Sequence, residues 1–480
     1  MFMKETVDIL IKDGIVITMD AQRRIFERGS VAISGDKIVA VGKSNEINEK
    51  YKADKVFDAR KKIVMPGFIN THNHLFQVLF RSLGDDLTLW EWWPTAVGYY
   101  IYKLNKDDMY NASVVGNIEL IRSGVTTNLD YQYATLTHYC KASDDCSIGT
   151  IKGMVDVGIR GIVARGCGDL EAFDRAEWGL PPKIFESIDD AIKRTLALHK
   201  EWDGKADGRI KIWIAPGAPF VISDEGSMKV REFATKYKIP ISMHFHETRR
   251  EVEEWKKAHN NMTPIQYYQE KFNFFGPDVV AVHCVWMDEK DIKIFKETGT
   301  SVSHNTMSNM YLASGVAPVP EFVKNGINVT LGVDGAASNN NQDFFEMLKG
   351  TALLHKVARV DPLAITAKQV LEFATINGAK AVMMEKEIGS LEVGKKADLF
   401  IMGTNYVNMA PLNNPISQIV YTGKAHNVET VIINGKIVME DKVIKTVDEQ
   451  KAIEKANESA ARIIEEAGRT EIIRKVSFSW

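Results

Sequence analysis

Cysteine is scarce in this chain: Cys140, Cys146, Cys167 and Cys284 are the only four in 480 residues. So low a count argues against a disulfide framework and for a reducing, cytoplasmic compartment. No apolar run approaches the roughly 20 residues needed to cross a bilayer, so no membrane role is expected. The opening Met1-Phe2-Met3-Lys4-Glu5-Thr6 lacks the basic stretch and apolar core of a secretory signal. Lysines and arginines number 60 against 63 aspartates and glutamates, for a formal net charge of −3, and they form no basic block. That distribution argues against nucleic acid as a partner. Repeats and low-complexity tracts are absent as well. What is present is 45% hydrophobic and 26% charged, enough for a large core and for two or three domains.

Both ends of the chain read as strands. Val7–Met19, Gly29–Ser34 and Lys37–Val41 are short β-branched runs separated by glycine-containing turns, and Ala397–Met402 and Val428–Met439 have the same character. The two ends are expected to form one small β-sandwich, from residues 1–62 and 391–447, followed by a C-terminal helix over 448–480. Between them, strand-like runs fall at Ile63–Asn70, Gly124–Asp130, Gly158–Arg165, Ile210–Ala215, Ile239–His246, Val279–Val285, Gly299–His304 and Ile327–Val333. Amphipathic segments such as Asp107–Arg122, Ser187–Trp202, Asp224–Tyr237 and Asp288–Thr298 separate most of them, which calls for parallel strands with helical crossovers. Eight such units over residues 63–390 suit an α/β fold of the (β/α)8 TIM-barrel type. The stretches 131–157 and 166–186 are long loops at strand ends, where a barrel builds its substrate site.

Histidines and acids gather at the same ends. His72 and His74 stand two apart, so in an extended chain both imidazoles face one side. His244 lies near the end of strand five, His283 ends strand six and Asp334 ends strand eight. Three imidazoles and a carboxylate suit one divalent ion, Zn²⁺ or Fe²⁺, with positions left open for water. Glu247 follows where the strand opens into a loop, beside that water, and can carry a proton. His246 is at best peripheral. His304 either lines the pocket or satisfies a backbone carbonyl, and His138, His199, His259, His355 and His426 are structural or solvated.

At this point the chain resembles the amidohydrolase superfamily, in the branch that holds atrazine chlorohydrolase, guanine and 8-oxoguanine deaminases and the methylthioadenosine/S-adenosylhomocysteine deaminases. The resemblance rests on Pro66-Gly67-Phe68-Ile69-Asn70-Thr71-His72-Asn73-His74, Ser123-Gly124-Val125-Thr126-Thr127, His244-Phe245-His246-Glu247 and Val282-His283-Cys284-Val285. It continues through Met307-Ser308-Asn309, Gly332-Val333-Asp334-Gly335 and Ile388-Gly389-Ser390-Leu391 up to Ala397-Asp398-Leu399. It implies that His72, His74, His244 and Asp334 ligate the metal, that Glu247 shuttles protons, and that His283 polarises the substrate. Two-metal members place a carboxylated lysine at the end of strand four. Here that strand ends Ile214-Ala215-Pro216-Gly217, so one metal is expected.

The implied reaction is hydrolytic deamination of an aminated aromatic N-heterocycle of purine, pterin, pyrimidine or triazine type. Metal-activated water attacks the ring carbon, and ammonia leaves. Gln77, Trp92, Arg165, His304 and Asn305 are the expected substrate contacts, with Asp334 and Glu247 beside the reacting atoms. Nucleoside deaminases of this branch hold ribose through a glutamate downstream of the tryptophan, where Ile101 aligns here. A free heterocycle is therefore favoured over a nucleoside, unless His138, Asp144 or Asp145 substitutes. The alternatives are a triazine-type hydrolase expelling chloride or alkylamine, an S-adenosylhomocysteine, methylthioadenosine or adenosine deaminase, and last a non-catalytic binding protein on the same fold. The expected partners are the small-molecule substrate and copies of the chain itself, as a dimer or tetramer.

Overall fold

At Pro66-Gly67 the chain passes from one β-sheet to another. In the computed structural model, which describes residues 4–136, 145–169 and 186–477, strand Lys62–Pro66 lies between Glu5–Ile17 and Leu399–Gly403. Strand Phe68–His74 begins a separate, parallel sheet beside Val125–Gln132. A Cβ on Gly67 would stand 2.0 Å from Thr126 Oγ1, so only glycine lets the two sheets approach here. The single strand expected over 63–70 is thus two strands in two sheets, because proline and glycine break the ladder. The second strand runs on through both histidines.

The parallel sheet holds, in order, Val329–Leu331, Ser301–His304, Val279–His283, Ile241–Phe245, Ile210–Pro216, Arg160–Cys167, Val125–Gln132, Phe68–His74 and Asp334–Gly335. Its first and last members are successive pieces of one run of chain. Val329–Leu331 pairs with strand seven and Asp334–Gly335 with strand one, so the sheet curls until its ends meet, as in a TIM barrel. Helices Lys106–Arg122, Ile188–Trp202, Asp224–Tyr237 and Glu289–Thr298 cover it. Asn105, Ser187, Ser223 and Asp288 start them by accepting hydrogen bonds from their first-turn amides. Along each strand side chains alternate. Ile69, Leu129, Ile162, Trp213 and Val280 fill the interior, while Val163, Ile212, Met243, Ala281 and Val302 face the helices.

The second sheet joins the two ends of the chain, as expected from their composition. Its order is Val443–Ile444, Lys436–Glu440, Val428–Ile433, Leu399–Gly403, Lys62–Pro66, Glu5–Ile17, Ile25–Ser34 and Lys37–Lys43, with Tyr51–Asp58 also paired to Glu5–Ile17. Arg160, at the start of barrel strand three, reaches across to Asp398 with Nε–Oδ2 2.8 Å and Nη2–Oδ1 3.1 Å. Asn434 completes the contact: its amide donates to Asp398 and its Oδ1 accepts from Arg160. Helix Glu449–Glu466 lies along Lys106–Arg122, joined to it by Arg122–Glu449 and Asn111–Ser459. Cys167 and Cys284 are buried thiols, whereas Cys146 is disulfide-bonded, which the low cysteine count did not foretell. Among the described residues no helix is long and apolar enough to cross a membrane.

Arg160 is fully buried and Asp398 is 3% exposed. Removing one member of such a pair leaves a charge stranded in a dry interior and costs about 3–5 kcal/mol. Asp398→Ala is therefore expected to lower the denaturant midpoint by the equivalent of about 3 kcal/mol or more. Equilibrium unfolding followed by circular dichroism checks this, and an unchanged midpoint would show that the contact does not hold the two sheets together.

Candidate active site

Strand Phe68–His74 slips register against its neighbour between Asn70 and Asn73, and the histidines follow that irregularity. The rings of His72 and His74 stand 4.6 Å apart and nearly perpendicular. His244, from strand Ile241–Phe245, places its ring 4.8 Å from His72 and 5.3 Å from His283. Asp334 closes the group, with Oδ1 3.3 Å from His72 Nε2 and 3.4 Å from His74 Nε2. Its Oδ2 is 4.0 Å from His283 Nε2, which in turn is 3.5 Å from Glu247 Oε2. His283 and Asp334 have φ of +67° and +64°, and Cys284 and His246 are also left-handed. Backbone strain of this kind in residues other than glycine gathers where a strand end must aim a functional side chain.

Two sets of donor atoms lie within 4.8 Å of one another, His72/His74/Asp334 and His72/His244/His283, with His72 common to both. Among the described residues His72 Nδ1 has no hydrogen-bond partner. A buried, unpartnered nitrogen among neutral imidazoles and a carboxylate fits a borderline divalent ion. His74 Nδ1 sits 2.7 Å from the Tyr131 carbonyl, which fixes the tautomer and leaves Nε2 turned to the centre. His283 Nδ1 is likewise 3.0 Å from Asn309 Oδ1.

Burial sets the protonation of this group. It holds His72 and His283 below the ordinary histidine range, His244 well below it, and His74 down to about 3. Burial alone would raise Asp334, but its contact with His72 Nε2 and the neighbouring imidazoles of His283 and His74 outweigh it and hold the carboxyl well below its ordinary range. Glu247 is pushed well up, by burial and then by the charge of Asp334.

The expected substrate contacts separate. Gln77 is in the site: its Nε2 donates to Tyr133 Oη at 2.7 Å, and among the described residues its Oε1 has no partner. That oxygen would lie 1.8 Å from a Cβ on Gly335, so glycine beside Asp334 is what admits it. Asn305 turns onto Ser303 and His283. Arg165 pairs with Glu186 at 2.6 Å. Trp92, 3% exposed, donates its indole N–H to the Ala337 carbonyl and sits in the apolar cluster of Phe80, Tyr100 and Ile101, so it pins the loop.

His304 points the other way. Its neighbour Ser303 meets Thr71 inside the barrel, so His304 faces the helices, with Nε2 3.1 Å from Nε2 of His355. His246 also faces outward, toward Ile265 and Asp291. His138 and Asp144 lie outside the described residues, as does the side chain of Asp145.

Several residues of the site escape sequence reasoning. Asp130 Oδ1 accepts the Leu75 amide at 2.7 Å, directly behind His74. Gln342 bridges Asn73 and the Asp334 carbonyl. Trp90, not Trp92, is the half-buried aromatic at the mouth, held by Thr248 Oγ1 and by Arg250 over its ring. Glu251 accepts the amides of His246 and Glu247. Glu251 leaves a sequence signal, the Thr248-x-x-Glu251 spacing of a helix start, and Trp90 leaves another as the first residue of the aromatic stretch up to Tyr102.

With this geometry in hand, the chain matches the amidohydrolase family over residues 63–438. It belongs to that family. Among similar amidohydrolases is the 5-methylthioadenosine/S-adenosylhomocysteine deaminase of Thermoanaerobacter pseudethanolicus, 39% identical over 96% of this chain and 100% of that one. The 5'-deoxyadenosine deaminase of Methanobrevibacter smithii is 38% identical over 95% and 98%. Among solved structures, an adenosine deaminase from Xanthomonas campestris with bound zinc has a TM-score of 0.87 at 27% identity, covering 96% of this chain and 99% of that one. The zinc-bound atrazine chlorohydrolase of Arthrobacter aurescens, TM-score 0.85 at 24% identity over 94% and 100%, shares the fold.

The outward histidine pair of this amidohydrolase titrates with folding. Burial and the Arg359 charge hold His355 down to about 4, and burial and its neighbours hold His304 well below the usual range. In the unfolded chain both take up protons near 6.5. Between those values the unfolded state binds more protons, so the pair's contribution is complete above about pH 6.5 and is lost as pH falls toward 4. His355→Gln should therefore lose less Tm than wild type between pH 7.5 and pH 5. Equal losses in the two proteins, read by differential scanning calorimetry, would clear the pair of that role.

Proposed function

We propose that the protein is a metal-dependent hydrolytic deaminase of an adenosine-type nucleoside, with His72, His74, His244 and Asp334 as ligands of one Zn²⁺ or Fe²⁺. The closed constellation of these residues with Glu247 and His283 carries the chemical part. Relatives 38–39% identical along at least 95% of the chain support the substrate part, since their names are those of nucleoside deaminases. The expectation of a free heterocycle rests on Ile101, and Ile101 is 3% exposed within the apolar cluster of Phe80, Tyr100 and Met109. A side chain packed there says nothing about ribose, so the nucleoside is preferred. The same proposal takes the second sheet as the small β-sandwich on which a TIM barrel is seated.

An ion held by these ligands supplies Lewis-acid activation of water at neutral pH. Asp334, kept ionised by its imidazole neighbours, accepts the proton that the attacking water gives up. Glu247, whose burial keeps its proton on, delivers a proton to the departing amine, and ammonia leaves. His283 stands between the two carboxyl groups, its far nitrogen held by Asn309, and faces the charge that builds on the neighbouring ring atom. Gln77 Oε1, buried beside Gly335, offers the substrate an acceptor.

Two measurements test this. Purified protein should hold about one equivalent of zinc or iron, and His74→Ala should lose most of it; two equivalents, or full occupancy in the variant, would refute the ligand set. For the substrate, kcat/KM for 5'-deoxyadenosine and methylthioadenosine should exceed that for adenine, pterins and triazines by about tenfold or more, as expected when buried partners for ribose hydroxyls are left unmet by a free base. A preference for the free bases would restore the other substrate class.

A further inference from the structure

We propose that Glu251 is a positioning residue for Glu247: its two carboxyl oxygens hold the backbone turn that aims the Glu247 side chain at His283. The inference rests on the proton role given to Glu247 above.

The turn needs holding. Strand Ile241–Phe245 ends at His246, whose φ of +53° is left-handed in a residue with a full side chain. Both amides at the bend point to one acceptor. His246 N–H reaches Glu251 Oε1 at 3.2 Å and Glu247 N–H reaches Oε2 at 3.1 Å, so each carboxylate oxygen takes one of two successive main-chain donors. The Glu251 carboxyl group stands in the first turn of helix Arg249–Ala258, next to the bend it meets.

An ordinary helix cap does not account for this arrangement. In a capping box the glutamate returns to the amide of the capping residue, here Thr248. Glu251 meets the Thr248 amide and extends beyond it to the amides of the two residues before, one of which bears the proposed proton carrier. Thr248 does cap the helix, its Oγ1 accepting the Glu251 amide at 3.3 Å, and the same oxygen accepts the Trp90 indole N–H at 3.2 Å. The rest of the bend is fixed from outside. The His246 carbonyl accepts the Val285 and Trp286 amides, and its Nε2 accepts from the Ile265 amide. With His246 pinned behind and Glu251 in front, Glu247 is left one direction, toward His283 Nε2 at 3.5 Å. Glu251 itself is buried, apart from the metal-ligand group.

The test is a double-mutant cycle on the metal-loaded enzyme with 5'-deoxyadenosine: wild type, Glu247→Gln, Glu251→Gln and the double variant. Glutamine keeps the shape of Glu251 but offers one acceptor oxygen where two are needed. Glu251→Gln should lower kcat about 10- to 100-fold, the scale of a misplacement of about 1 Å, with KM within about threefold and metal content unchanged. Combined with Glu247→Gln it should add nothing beyond about threefold, since it acts through that residue. Deuterium uptake at the 246–248 amides should quicken in Glu251→Gln and stay as in wild type in Glu247→Gln. Glu251→Asp, one methylene short with both carboxyl oxygens kept, should fall between wild type and Glu251→Gln, and it serves should the glutamine variant fail to fold. A near-normal kcat in either variant, a loss explained by metal or KM, or effects that multiply in the double variant would overturn the proposal. Glu247→Gln with near-normal turnover would instead strike the proton role of Glu247.

Discussion

Six titratable side chains can share one dry pocket only if most of them are uncharged. Burial strips the protons from His72, His74, His244 and His283, and the single full charge left among them, on Asp334, sits where three of the imidazoles face it. Neutral imidazole nitrogens are what a metal needs, and an ionised carboxylate among them is what a transferring proton needs. Glu247, buried and subject to the Asp334 charge, is pushed the opposite way. Two carboxyl groups in one site thereby take opposite protonation states, as the opposite tasks proposed for them require.

The pocket keeps its shape because each of these groups is held from behind. Tyr131 and Asn309 fix the far nitrogens of His74 and His283, Asp130 holds the chain just past His74, and Gln342 ties the loop of Asp334 to the strand of His72 and His74. That last tie matters most, because strand eight is broken. Its first half belongs to strand seven and its second half to strand one, so Asp334 stands on the seam where the sheet closes.

The parts of the site legible in the sequence are those that depend on spacing alone. His72 and His74 declare themselves by standing two apart, and His283 and Asp334 by ending apolar runs. His304 ends such a run too, but whether it faces pocket or helix turns on strand parity, which is visible only once Ser303 is seen against Thr71. The aromatic stretch from Trp90 to Tyr102 is equally ambiguous on paper. Packing places Trp92 and Ile101 in the core and leaves Trp90 at the mouth. Glu251 could be read as a helix cap; that it reaches past its cap to Glu247 follows from the left-handed turn at His246, which composition does not announce. Pro66-Gly67 was in plain view as a motif, yet its meaning as a passage between sheets needed the partner strand, Leu399–Gly403, from the far end of the chain.

That distant partner has a kinetic side. Met65 pairs with Phe400 and Val64 with Ile401, across nearly the whole barrel sequence. A ribosome adding about 5–20 residues per second needs roughly 15–70 s to supply the second strand after the first. Throughout that interval Lys62–Pro66 has Glu5–Ile17 on one side and an open row of amides and carbonyls on the other, an edge of the kind that recruits foreign strands. The barrel is made in the meantime, so during synthesis the sheet stands half-built until its last neighbour arrives from the far end of the chain.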